Sequence, residues 1–367
     1  MKLKISYIVV LVLFLGCKTS QNKTGQDAKS GATKIVNTLH YPQEKHLKNI
    51  KQLTFGGDNA EAYWSFDNTK LVFQASNVWG LACDQIFTMN ITDDLSKGQK
   101  PQLISTGLGR TTCSYFLPGN ESIVYSSTHL ADLNCPPVPK KEDYGNKYIW
   151  SVYKGFDIFT ADIKGNQLKQ LTFEEGYDAE PTVSSKGDKI VFTSTRTGDL
   201  ELFTMNLDGS NVKQVTFELG YDGGAFFSPD GSKLIFRASR PKTDEEIKEY
   251  KDLLAEGLVQ PTNMELYICN IDGSELTKIT NLGSANWAPF FHPSEKKIIF
   301  SSNHKSKHSF NLFMINVDGT GLEQITYDTV FDAFPMFSPD GKKIVFSSNR
   351  NNNGTRDTNL FIADWVD

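Results

Sequence analysis

From about residue 49 to the C-terminus the chain alternates short apolar runs with clusters of Gly, Pro, Asp and Asn. Within each run, aromatic and β-branched residues recur at every second position. That spacing predicts half-buried β-strands rather than helices, because successive strand side chains face opposite sides. The run Lys343-Ile344-Val345-Phe346-Ser347-Ser348, preceded by Ser338-Pro339-Asp340-Gly341, recurs in altered form five times upstream. Aligned on the second aromatic, the copies fall at Phe73, Tyr125, Phe192, Phe236, Phe300 and Phe346. Pro presets φ near −65° and Gly takes the left-handed position, so these tetrapeptides predict tight turns between a first and a second strand.

Two further signatures complete each unit. Leu-Phe-Thr-Met-Asn-Leu-Asp-Gly at 202–209 has counterparts at 266–273 and 312–319, predicting a third strand and its turn. Gln-Leu-Thr or a near match follows at Gln52, Gln170, Gln214, Lys278 and Gln324, with a weaker copy at Gln102, and predicts a fourth. Four strands per unit at a basic period of about 45 residues is the pattern of a β-propeller blade, and six copies predict an all-β, six-bladed ring. The region 49–367 opens on a fourth-strand motif, Ile50 to Thr54, and closes on a third-strand motif, Asn359 to Ala363. The N-terminal strand is therefore expected to supply the outer strand of the last blade, which removes the edges of an open array. These repeats resemble the WD40-like repeats of the TolB-like six-bladed propeller family. That resemblance implies a bacterial cell-envelope protein with envelope partners. TolB's additional N-terminal domain has no counterpart here, so a Tol–Pal role is not expected.

The N-terminus differs in character. Lys2 and Lys4 precede an almost continuous apolar run, Ile5 to Leu15, too short to span a bilayer, followed by Gly16-Cys17. This resembles the lipobox of bacterial lipoproteins, although Phe14 stands where Leu is usual. It implies a signal peptide over 1–17 and a lipid on Cys17; the alternative is an ordinary cleaved signal. Residues 18–48, rich in Lys, Gln, Ser, Thr and Gly, read as a flexible tether. With 38 basic and 43 acidic residues, net −5, the chain lacks the basic bias of a nucleic-acid binder. It is expected to be a monomer, lipid-anchored in the envelope, facing either the periplasm or the surface.

In a propeller of this connectivity the long insertions, 129–156, 241–264, 303–310 and 349–358, fall on one face, where binding is expected. The insertion segment from Thr243 has apolar residues at 247, 250, 253 and 254 and a capping residue, predicting an amphipathic helix. First strands line the channel, entered from this face by Asn59, Thr111, Asp178, Asp222, Asn286 and Asp332. Two residues further in lie Glu61, Cys113, Glu180, Gly224, Ala288 and Phe334. Of these, Asn59, Glu61, Asp178, Glu180, Asp222, Asn286 and Asp332, with nearby Trp287, are the candidate ligand-binding residues. Asp178, Asp222 and Asp332 could hold a hard cation such as Ca²⁺ or another divalent ion, or the mouth could take a cationic ligand. The alternative is that each repeated Asp accepts hydrogen bonds from the adjacent blade.

Cys269 occupies a third-strand apolar position, whereas Cys83, Cys113 and Cys135 map to the loop-rich side. A disulfide is expected there, first between Cys113 and Cys135. A metal site with His129 lacks any Cys-x-x-Cys spacing, and His304 and His308 fall in a Lys/Ser-rich loop. No nucleophile elbow, zinc-protease motif or phosphate loop occurs. The leading expectation is a non-catalytic scaffold holding an envelope protein, peptide or glycan at the mouth. The alternative is a metal-dependent lyase or hydrolase using the acidic residues there. If Cys17 carries the only anchor, Cys17→Ser should move the protein from the membrane to the soluble fraction, read by fractionation.

Overall fold

The computed structural model describes residues 38–367 other than Ala82. The expected signal peptide, Cys17 and most of the expected tether lie outside the described residues. Six four-stranded antiparallel sheets form the blades of a ring. Their inner strands are Asp58–Trp64, Thr111–Phe116, Asp178–Val183, Asp222–Phe227, Asn286–Phe291 and Asp332–Phe337. Among the described residues, no helix is long and apolar enough to cross a membrane.

The repeat signatures each have a physical job. The second aromatic pairs directly with an aromatic of the third strand: Phe73 with Phe87, Phe192 with Phe203, Phe346 with Phe361. Ring centroids in these pairs lie 5.8–6.0 Å apart, the geometry aromatic pairs favour. In the Ser-Pro-Asp-Gly turn, the Ser338 hydroxyl donates to Asp340 Oδ1 (2.7 Å) and accepts from the Lys343 amide (2.9 Å). Gly341 adopts φ +70°, which a side chain would resist. The threonine of Gln-Leu-Thr accepts the amide of the third strand's second residue, at 2.9 Å from Leu202 to Thr216, Leu266 to Thr280 and Leu312 to Thr326.

Closure occurs as the motif order requires. Leu47–Gln52 pairs antiparallel with Asn359–Trp365, and the Leu360 amide donates to Thr54 Oγ1 at 2.9 Å. One expectation is corrected: the polar stretch assigned to a tether as far as residue 48 is built into the ring from Leu39 onward. Glu44 is fully buried against Arg350, whose Nη2 donates to Glu44 (2.9 Å) and to Asp332 (2.8 Å). The other terminal nitrogen, Nη1, donates to the Leu39 carbonyl (2.9 Å) and to Glu44 (3.2 Å). A single acidic residue in a polar stretch thus finds a buried cation, something that composition averaged over the segment hides.

The insertions join one another. The helix is Asp244–Ala255, capped by Thr243, with Glu246 closing the capping box. Past it, Leu258–Val259 pairs with Trp150–Ser151 from the blade-two insertion, making a small two-stranded sheet. The helix is tied down by Tyr250, whose hydroxyl donates to Asp199, and to the blade-two insertion by an exposed Lys147–Glu249 ion pair.

Removing a buried charge's partner leaves the other uncompensated, at about 3–5 kcal/mol. Arg350→Met should therefore destabilise the fold by roughly that amount, measured by denaturant unfolding, and should release residues 39–46 to proteolysis. Equal stability and protection would contradict the latch.

Candidate functional site

The ring of residues at the channel entrance is architectural. A residue at the start of an inner strand reaches back to the preceding blade, its amide donating at 2.9–3.0 Å from Asn59 to Thr358, Thr111 to Asp84, Asp178 to Phe156, Asp222 to Leu200 and Asp332 to Phe310. In the remaining blade the Asn286 side chain takes over, Nδ2 donating to the Met264 carbonyl (2.8 Å). Each of the three aspartates is engaged by an arginine eighteen positions on: Asp178 by Arg196, Asp222 by Arg240, Asp332 by Arg350. These carboxylates lie at separate blade junctions and do not converge on a cation. Among the described residues no group of three or more His, Cys, Asp or Glu side chains is arranged to hold a metal.

The eighteenth position also accounts for two histidines. His129 and His304 stand where the arginines stand and pack on the same third-strand aromatic, Phe159 at 4.5 Å and Phe313 at 4.3 Å. Arg196 covers Phe203 at 5.0 Å in the equivalent way. Burial lowers the pKa of both histidines, which suits stacking in the neutral form.

The second ring is different. Glu61, Cys113, Glu180, Gly224, Ala288 and Phe334 all adopt left-handed φ, between 45° and 59°. The strand register shifts at that residue in every inner strand. Such a bulge re-aims its side chain, here into the channel. Five of the six carry a side chain, at roughly 1–2 kcal/mol each for the left-handed backbone.

Beneath the joined insertions this ring floors a cavity of about 380 Å³. Of the residues expected to bind ligand, Glu61, Glu180 and Trp287 line it, whereas Asn59, Asp178, Asp222, Asn286 and Asp332 do not. Its polar centre is Glu180. That carboxylate pairs with Arg237 and accepts from Thr193 Oγ1 (2.8 Å), the Gly224 amide (2.8 Å) and Tyr221 Oη (3.1 Å). Burial alone would raise its pKa, but the Arg237 charge and these donors outweigh that and hold it below the usual value. Glu61 goes the other way. Burial is the largest influence and Glu180's charge adds to it, so its pKa rises although Cys113 Sγ (2.9 Å) and Tyr63 Oη (3.1 Å) both donate to it. The Cys113 thiol is pushed well up, first by burial and then by Glu61.

Arg237, Tyr221 and Trp150 were missed from sequence. Arg237 follows the second aromatic of blade four, where the other blades place Gln74, Ser126, Thr193, Ser301 and Ser347. The adjacent Gly223-Gly224 makes the room: a Cβ on Gly224 would come within 1.8 Å of Arg237 Nη1, and one on Gly223 within 2.6 Å of Glu180. One long cation among small residues, beside a double glycine in an inner strand, was the available signal.

The disulfide expectation is corrected. Cys83 bonds to Cys135, and Cys113 is a free, buried thiol. Cys113 sits at the bulge, so its side chain turns into the channel and away from Cys135. The disulfide ties the blade-two insertion to blade one, while the small sheet ties it to blade four; the insertion is a strap across the mouth. Its Trp150 lies over the Arg237 guanidinium at 5.4 Å and packs at a tilt against Trp287 at 5.0 Å.

Comparison with known proteins follows the same lines. No curated protein matches the sequence. A structure assigned as TolB from Agrobacterium tumefaciens is similar with TM-score 0.54 at 16% identity, covering 85% of this chain and 91% of that one. TolB from Acinetobacter baumannii gives 0.50 at 17% identity, over 84% of this chain and 64% of that one. Oligogalacturonate lyase from Vibrio parahaemolyticus gives 0.49 at 14% identity, over 86% and 93%. Residues 145–263 and 258–355, more than half the chain, match the family described as the TolB beta propeller domain. With six blades in place and their repeats accounted for, this chain belongs to the TolB β-propeller family.

Proposed function

We propose that the protein is a non-catalytic binding module of the bacterial cell envelope that holds its ligand in the channel cavity beneath the strap. The observation carrying this reading is the cavity's make-up: aromatic walls from Trp150, Tyr177, Tyr221 and Trp287 around a few convergent polar groups. Mostly apolar concavities with a small number of placed polar groups are the usual form of ligand sites. A volume of about 380 Å³ suits a small molecule, or one or two units of a peptide or glycan, rather than a folded partner. The envelope location rests on the family and on the lipobox-like Gly16-Cys17, and the same features support a lipid anchor.

A metal-dependent lyase or hydrolase using Asp178, Glu180, Asp222 and Asp332 would need each carboxylate to leave its arginine and the three aspartates to come together with Glu180, each at the cost of an unpaired buried charge. Protein purified without chelator should contain no stoichiometric divalent ion; an equimolar metal lost on Asp222→Asn would overturn the non-catalytic assignment.

Replacing 241–264 by a short turn should leave the blade-four strands intact yet remove the helix and the strap's pairing partner. Ligand capture from a panel of envelope peptides and glycans, followed by quenching of Trp150 and Trp287 fluorescence, should then fall at least tenfold (about 1.4 kcal/mol). Unchanged capture by the trimmed, folded protein would place the site elsewhere.

A further inference from the structure

The cavity holds two arginines in parallel arrangements. Arg237 pairs with Glu180 and lies under Trp150. Arg110, at the start of blade two, pairs with Asp84 and lies over Tyr153 at 5.9 Å. Trp150 and Tyr153 both belong to the strap. Both guanidiniums line the cavity, and in each the Nε–H is buried with no hydrogen-bond partner among the described residues. Arg237 as a whole is 7% exposed. It reaches the channel only because Gly224 has no side chain, so Nη1 occupies the space near the axis that the other blades fill.

We propose that this cavity recognises a small carboxylate-bearing ligand, with Arg237 and Arg110 as its two anion-binding groups. The inference deepens the binding role proposed above and rests on it. Buried donors without partners are rare, and these two guanidiniums, whose residues line the cavity, keep hydrogen-bonding capacity that Glu180 and Asp84 do not use. A guanidinium offers planar, paired N–H groups that match a carboxylate, and such charge-assisted bonds are about twice as strong as neutral ones. A cationic ligand fits less well. Three of the aromatic rings it could use already carry a cation, Trp150 and Tyr221 from Arg237 and Tyr153 from Arg110. Glu61, the other acidic group on the floor, is biased by burial towards its neutral form, which lessens repulsion of an incoming anion. The aromatic walls call for an apolar or ring-bearing body behind the carboxylate.

Titration calorimetry on the folded protein with phenylsuccinate and with its uncharged diamide tests the assignment. The dicarboxylate should bind at least tenfold more tightly than the diamide, and less tightly as salt is raised. Arg237→Gln and, separately, Arg110→Gln should each weaken it about tenfold. Should Arg237→Gln fail to fold, Arg110→Gln, whose side chain is partly exposed, carries the test alone. If the diamide binds as well as the acid, the ligand class is wrong while the cavity remains a binding site. If neither binds, both the ligand class and the cavity reading fall.

Discussion

Each inner strand begins by handing a hydrogen bond to the blade before it, from a backbone amide in five blades and from the Asn286 side chain in the other. This contact recurs around the ring, from Asn59 to Thr358 through Asp332 to Phe310, and fixes the distance between neighbouring blades. A buried amide must be satisfied, and here the partner lies on the adjacent blade, so no sheet is complete without its neighbour. The Asp–Arg pairs add charge to the same junctions. With the entrances so constrained, the bulge two residues on falls at one depth in every blade, and six bulge residues, five of them with side chains, meet around one axis. The cavity floor follows from the way the ring is joined.

The floor then acquires its chemistry by departures from the repeat. Ala288 and Phe334 keep it apolar, while Glu61, Cys113 and Glu180 bring polar atoms where water is scarce. Gly224 removes a side chain and admits Arg237 from the second strand. A buried pair such as Glu180–Arg237 is weak evidence for stability, since desolvation offsets much of the attraction. Held by Thr193, Tyr221 and a backbone amide, it does present a defined pattern of donors. The strap completes the enclosure, fastened by a covalent bond on one side and by two short strands on the other.

The ring was legible because its signals are repeated. The second aromatics, the Gln-Leu-Thr threonines and the displaced first strand each serve one local hydrogen-bond or packing role, and six copies average out the noise. The capped helix at Thr243 was readable for the same local reason. The site was less so. Asp178, Asp222 and Asp332 look like ligands in sequence, and only the arginines eighteen residues on reveal their partners, a spacing that was there to be noticed. Cys113 was paired wrongly because periodicity gives strand faces but not a bulge, and the bulge reverses where that thiol points. Arg237 depended on a gap opened by a residue thirteen positions earlier, information that lies in three-dimensional proximity rather than in any motif.

The burial of Arg350 bears on how the ring answers a mechanical load. A chain drawn from its N-terminal side transmits tension first to Leu39, Tyr41 and Glu44, which grip one enclosed guanidinium, and only afterwards to the strand Leu47–Gln52 that seals the circle. The grip must fail before the seam can be peeled. Any pull from the N-terminal side would thus be absorbed by a three-residue clasp, sparing the circular architecture on which the enclosed chamber relies.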